Sequence, residues 1–235
     1  MDNFKKKKIL VVVAHPDDEI LGLGATMHKL INNYECCVKV LILGEGLTSR
    51  LDKRDSSKLS KELNIHKSNI IDAGKVIGYD SFGIYDLPDN RFDTVPLLDI
   101  IKIVENEKKI FDPEIIFTHH GGDVNIDHQI TFQAVMTSCR PTSSEKVNTI
   151  ITFETPSGTE WIASTDPRKF IPNLFIEISE EDLQAKIKGM ESYNFEKRKY
   201  PHPRSPESLT TLAKYRGNSV GFHLAEAFSI VRIIY

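Results

Sequence analysis

A chain of 235 residues, 40% hydrophobic and 27% charged, has the size and composition of one globular domain. Thirty Lys and Arg against 33 Asp and Glu leave a formal net charge of −3, too balanced for the overall field to favour nucleic acid or an anionic membrane. No apolar run approaches the roughly 20 residues of a membrane span, and the polar stretch Met1 to Lys8 is followed by too short an apolar run for a signal peptide. A cytoplasmic protein is the expectation. Three cysteines without a CxxC pair suggest neither a disulfide framework nor a thiolate metal site.

In chain order, apolar runs alternate with amphipathic stretches, the pattern of βα units in a largely parallel sheet. Ile9 to Ala14 reads as a buried strand, Ile20 to Asn32 as a helix and Val38 to Leu43 as a second strand. Lys53 to Leu63 reads as a helix, as does Val95 to Ile110, with Leu97, Leu98, Ile101 and Val104 on one face. Ile115 to Thr118 is a third strand and Asp127 to Ser138 a helix. Thr149 to Phe153 and Leu174 to Ile178 read as strands, and Glu180 to Tyr193 and Ser208 to Tyr215 as helices. The fold expected is α/β and Rossmann-like, a mostly parallel sheet flanked by helices in a single domain over residues 1–235.

Two polar clusters each follow a strand, and ligands of open parallel sheets bind outside the carboxyl ends of the strands. The first is Ala14-His15-Pro16-Asp17-Asp18-Glu19. His15 and Asp18 are three apart, so one turn brings an imidazole and a carboxylate to the same side, and both are normal zinc ligands. Asp17 projects into the same cleft without being needed as a ligand. The plainer reading is a capped first helical turn, which accounts for any one of Asp17, Asp18 or Glu19 but leaves His15 without a role. Glu19 fits a supporting position. Gly22-Leu23-Gly24 lacks the third glycine of a dinucleotide fingerprint and suits close helix–sheet packing. His28 reads as a surface or packing residue. The second cluster, His119-His120-Gly121-Gly122-Asp123-Val124-Asn125-Ile126-Asp127-His128, carries more hydrogen-bonding groups than packing explains.

With these motifs the chain closely resembles the PIG-L / LmbE-like N-deacetylases. AHPDDE stands intact at Ala14 to Glu19, and Asn125-Ile126-Asp127-His128 corresponds to the second family motif. Gly44-Glu45-Gly46 and Ala225-Glu226-Ala227-Phe228 extend the likeness. Pro88-Asp89-Asn90-Arg91 and Pro201-His202-Pro203-Arg204 suggest a bacterial amino-sugar deacetylase subgroup. The resemblance implies a Rossmann-like fold, Zn²⁺ held by His15, Asp18 and His128, and Asp17 as general base. One departure stands out: Asn125 replaces a histidine that often assists the intermediate, and an asparagine is no acid near neutral pH. His120, Asp123 and His223 are the candidates to supply the missing acid, with His120 ranked first and His223 second among the histidines. The alternative is that His119 and His120 hold the loop while Asp17 carries the proton both ways. Substrate contacts are assigned to Arg54, Arg91, Asp123 and His223, with Arg204 and Arg216 as further cations.

The expected activity is hydrolysis of an N-acetyl group on an amino sugar or its nucleotide- or lipid-linked conjugate, in surface-glycan or secondary-metabolite biosynthesis, with homo-oligomerisation left open. Two rivals remain. A metal-dependent glycosyltransferase would use Asp17 and Asp18 but leave His15 and His128 idle. A non-catalytic sugar- or metal-binding module would not need Asp17. Release of acetate from N-acetylated sugars separates all three.

Overall fold

The computed structural model describes residues 1–79 and 81–234. Continuous β-branched runs form the central strands, Lys8–Val13 (β1), Cys37–Gly44 (β2), Ile115–His119 (β4) and Thr149–Phe153 (β5), each buried along almost its whole length. Such unbroken apolar runs mark strands covered on both faces. Ser81–Leu87 (β3), Leu174–Glu177 (β6) and Ala225–Ile233 (β7) complete a seven-stranded sheet in the order β3-β2-β1-β4-β5-β7-β6. The pairs from β3 through β5 are all parallel, and β7 runs antiparallel between β5 and β6.

The helices are Asp18–Tyr34 (α1), Ser60–Ile77 (α2), Leu97–Phe111 (α3), Ile126–Ser138 (α4), Glu180–Glu191 (α5) and Pro206–Asn218 (α6). One core lies on the α1 side of the sheet and includes Ile9, Val11, Leu23, Phe117, Phe153 and Phe228. The opposite core gathers Leu10, Val12, Leu41, Phe92, Ile100 and Val135. Burying each such side chain contributes about 1.5–3 kcal/mol. α1 presses directly on the sheet: a Cβ on Gly22 would sit 2.2 Å from the Phe153 ring, which explains the glycine there.

Four elements differ from the sequence reading. The helix expected over 53–63 starts only at Ser60. Asp55 takes the Ser57 hydroxyl, a local bond that competes with helix formation, and residues 48–59 contain two short 3₁₀ turns instead. α2 then runs on to Gly78, whose φ of 103° ends it. In α3, Leu97 and Leu98 are 37% and 60% exposed in the first turn, and the buried stripe is Ile100, Ile101 and Val104. β3 and β7 were not foreseen as strands. β3 is a half-exposed edge, and β7 opens on Ala-Glu-Ala, neither of which carries a strong strand pattern.

β1 is flanked by β2 on one side and β4 on the other, so the chain order reverses there. The carboxyl ends of these strands splay into a crevice at that switch point. Among the described residues no helix is long and apolar enough to cross a membrane.

Candidate active site

The first cluster is built around a strained turn. Between β1 and α1, Asp17 adopts φ 107° and ψ −25°, a left-handed conformation that costs a non-glycine residue about 1–3 kcal/mol. The neighbours over-determine it. The Asp17 carbonyl accepts from Ile20 and Leu21 N–H, and its own N–H donates to Glu19 Oε2 at 3.1 Å. Glu19 is fully buried and also accepts from the Tyr79 and Tyr193 hydroxyls. Asp18 Oδ2 closes the turn by accepting from His15 N–H at 2.8 Å.

The second cluster sits at the start of α4. Asn125 caps the helix, its side chain accepting from Asp127 N–H at 2.8 Å. Asp127 accepts from Asn90 and Phe92 N–H and holds His15 Nε2 at 2.9 Å. That bond turns His15 Nδ1 toward Asp18 Oδ2, 3.4 Å away, and His128 Nε2 approaches the same oxygen at 3.4 Å. His15, Asp18 and His128 thus offer three donor atoms within 4.8 Å of one another. A second such group, His15, Asp89 and Asp127, meets at the Nε2 side already occupied by the Asp127 bond. Behind His128, Asp123 Oδ2 lies 3.2 Å from Nδ1 but off the line of a hydrogen bond.

His119 is the floor. Its Nε2 accepts from Ala14 N–H at 3.0 Å, which places its proton on Nδ1, facing Thr155 Oγ1. Burial, together with the charge on His128, lowers its pKa to about 4, so the ring is neutral where it stacks on His128 at 3.9 Å.

The electrostatics favour positive charge between the donors. Burial opposes a proton on His128, but Asp18 and Asp123 outweigh it and raise its pKa to about 9. Burial likewise opposes charge on His15, and the bonds to Asp127 and Asp18 hold its pKa well above 6.5. Burial works against ionised Asp18, yet His128 and His119 keep its pKa well below the usual range. Two imidazoles and a carboxylate in a field that invites cations, each imidazole facing a further carboxylate, make a donor set that fits a divalent metal ion.

Asp17 is 2% exposed and points into the crevice without joining the donor set. Burial raises its pKa well above 3.8, while Arg204 pulls the other way from 2.8 Å. Arg204 also bonds Glu196 and Ser157, so it crosses from the loop before α6 to the turn after β5. The crevice measures about 170 Å³, and its wall includes Ser49, Asp89, Asn125, Thr155, Ser157 and Arg204.

The structure brings His15, Asp17, Asp18, Asn125 and His128 together and leaves several other expected residues apart. His120 is turned out of the crevice, its Nε2 bonded to the Arg168 carbonyl and its ring against Phe170. Consecutive residues at a strand end face opposite sides, so with His119 inward His120 points away. His223 is exposed in the turn between α6 and β7. Neither lines the crevice. Asp123 has no exposed surface and supports His128, Thr159 and the Asn125 backbone rather than a ligand. Arg54 pairs with Glu45 in a neighbouring cavity, Arg216 pairs with Glu154 behind the sheet end, and Arg91 lies outside the crevice wall. Of the further cations only Arg204 reaches the site. Glu19 and His28 stand as expected, the first supporting Asp17 and the second bonded to Asp182.

Sequence reasoning missed Asp89, Ser49, Arg50, Thr155, Ser157 and Glu196. The Pro88-Asp89-Asn90-Arg91 stretch drew attention to Arg91, whereas Asp89, 3% exposed, is the member that approaches His15, at 3.4 Å.

Comparison with known proteins agrees with this geometry. Residues 10–139 match the family described as PIG-L, GlcNAc-PI de-N-acetylase. That span covers the three donors and Asp17, and the chain belongs to this deacetylase family. It is 28% identical over 196 residues to an Escherichia coli (strain K12) protein named as an uncharacterized deacetylase, YaiS, covering 80% of this chain and 91% of the relative. The N,N′-diacetylchitobiose deacetylase of Pyrococcus horikoshii superposes with a TM-score of 0.75 at 17% identity, over 96% of this chain and 84% of that one. GalB, the 4-carboxy-2-hydroxymuconate hydratase of Pseudomonas putida KT2440, superposes with a TM-score of 0.72 at 19% identity, over 97% and 98%. A deacetylase and a hydratase share the backbone, so the side chains of the crevice must carry the functional argument.

Proposed function

We propose that this protein is a zinc-dependent N-deacetylase that removes an acetyl group from an amino sugar or an amino-sugar conjugate. The observation that carries the reading is the convergence of His15, Asp18 and His128, with the Asp17 carboxylate beside them and outside the donor set. Two nitrogen donors and one oxygen donor leave a coordination position open, as hydrolytic zinc sites do. A bound Zn²⁺ supplies Lewis acidity toward the acetyl carbonyl and toward water.

The chain's own groups supply the rest. Asp17 accepts a proton from the attacking water as the water oxygen bonds to the acetyl carbon. Its burial makes it a stronger base than a solvated aspartate, and Arg204 keeps it oriented. As the C–N bond breaks, the same carboxyl returns the proton to the departing nitrogen, giving acetate and a free amine. With His120 and His223 outside the crevice, this two-way role falls to Asp17. Asn125 is bound through its oxygen to the start of α4, which leaves its amide N–H₂ as a donor on the crevice wall for the carbonyl oxygen. A glycosyltransferase would leave the two imidazole donors unexplained, and a binding module would not need a strained, desolvated carboxylate beside them.

The test is release of acetate from N-acetylglucosamine and its glycosides by the purified protein, with metal content measured on the same sample. Loss of activity on chelation and recovery with Zn²⁺ are expected. Full activity in a metal-free sample, or no acetate from any N-acetylated sugar, overturns the proposal.

A further inference from the structure

Trp161 is the only tryptophan in the chain, and it is 55% exposed. Its turn is nonetheless fastened to the crevice. Two residues earlier Thr159, 3% exposed, donates its hydroxyl to Asp123, the carboxylate that faces His128. The Thr159 hydroxyl oxygen also accepts from Thr155 N–H at 2.8 Å, and Thr155 and Ser157 form part of the crevice wall. On its other side the indole meets the His202 ring nearly perpendicular, at 6.2 Å and 80°. His202 Nδ1 accepts the N–H of Arg204, whose guanidinium reaches Asp17. The turn is thus tied to the site through Thr159 and the indole rests on His202, yet more than half of its surface is open. A large apolar face on a turn tied through Thr159 and His202 to residues of the crevice wall is a contact surface in waiting.

The crevice itself, at about 170 Å³, is smaller than the roughly 300–1,000 Å³ of ordinary ligand pockets. It has room for an acetamido group and the ring that bears it. Anything attached to that ring must lie over the rim. We propose that Trp161, backed by His202, is a stacking platform for a second pyranose ring, glycosidically linked to the N-acetylated sugar whose acetamide enters the crevice. This rests on the deacetylase reading above and narrows the substrate class to a disaccharide or longer glycoside. The C–H face of a pyranose is apolar and weakly positive, which matches the negative face of an indole. Stacking of this kind reads a ring face and tolerates different linkages.

A single tryptophan makes the platform directly observable. In the Asp17→Asn variant, where turnover is suppressed, Trp161 emission is titrated with N,N′-diacetylchitobiose and with N-acetylglucosamine. A saturable change with the disaccharide and none with the monosaccharide is expected. In kinetics, Trp161→Ala raises KM for the disaccharide about tenfold relative to KM for the monosaccharide, which corresponds to about 1.4 kcal/mol of lost contact. Trp161→Phe, which keeps an aromatic face, restores most of that ratio. Emission that responds to neither sugar, or a KM ratio unchanged by Trp161→Ala, overturns the proposal. So does emission that follows protein concentration instead of sugar, because the indole then meets a second copy of the chain. A saturable disaccharide response without acetate release from either sugar by the wild-type protein would keep the platform and remove the deacetylase. Acetate release with an unresponsive indole would do the reverse.

Discussion

The strained backbone of Asp17 separates stability from chemistry, and a pair of substitutions reads the two apart. Asp17→Ala and Asp17→Gly both delete the carboxylate, but only alanine keeps a Cβ at φ 107°. Relief of that conformation favours glycine by about 1–3 kcal/mol. The freer unfolded chain of the glycine variant returns about 0.4–1 kcal/mol. The net is about 1–2 kcal/mol in favour of Asp17→Gly, and a chain of this size gains about 2–4 °C in Tm per kcal/mol. Thermal unfolding by circular dichroism, with chelator present so that metal linkage does not contribute, should place the glycine variant about 2–8 °C above the alanine variant. Acetate release should fall about 10²–10⁴-fold in both, the usual loss for a general base. An alanine variant as stable as the glycine variant would show that the turn relaxes freely and that Glu19 and the start of α1 do not enforce it. A glycine variant with wild-type turnover would remove Asp17 from the mechanism.

Other substitutions test the surrounding layers. Asp127→Asn weakens the group that orients His15 and should lower zinc affinity about 10–100-fold in a chelator competition; an unchanged affinity would mean that the 2.9 Å bond to Nε2 does not set the ring. Asn125→Ala removes the cap of α4 and should cost about 1 kcal/mol in urea unfolding, together with a fall in kcat if its amide assists the carbonyl oxygen; unchanged stability would discount the cap. His66 is 1% exposed with neither ring nitrogen hydrogen-bonded among the described residues, and burial, aided by Arg50, holds its pKa at about 4. Its unfolded pKa is about 6.5, so the unfolded state binds the extra proton between these values and stability drops as pH falls from about 6.5 to 4, by up to about 3 kcal/mol. His66→Leu should lose that part of the decline when urea midpoints at pH 7 and pH 4.5 are compared with wild type, and an identical decline in both proteins would refute it.

The donors were legible because chemistry and position coincided. His15 and Asp18 lie three apart at the end of an unmistakable buried strand, and His128 follows another such strand. Residues whose role depends on which strands become neighbours were not legible. Asp89 enters through β3, an edge strand with a weak pattern, and Glu196 and Arg204 arrive from a loop between two late helices. His120 was misplaced for a simpler reason. Its neighbour His119 is the last residue of β4, so the pleat alone decides which of the two faces inward, and spacing could not choose between them. Asp123 drew attention as a charged loop residue, but its partners Thr159 and His128 are distant in sequence or a turn away, and only the fold shows that it is buried.

The crevice has two walls of different descent along the chain. The cluster of His15, Asp17, Asp18 and His128 comes from residues 15 to 128, within the span that matches the family, whereas Ser157, Glu196 and Arg204 come later and line the opposite side of the opening. The covering wall is tied to the reactive one through Arg204 to Asp17, Thr159 to Asp123, Thr155 to His119 and Arg168 to His120. Such an arrangement lets the two halves change at different rates. Loop length and side chains over residues 154–172 and 194–205 can be remodelled while the donor cluster stays in place, provided that those anchors survive.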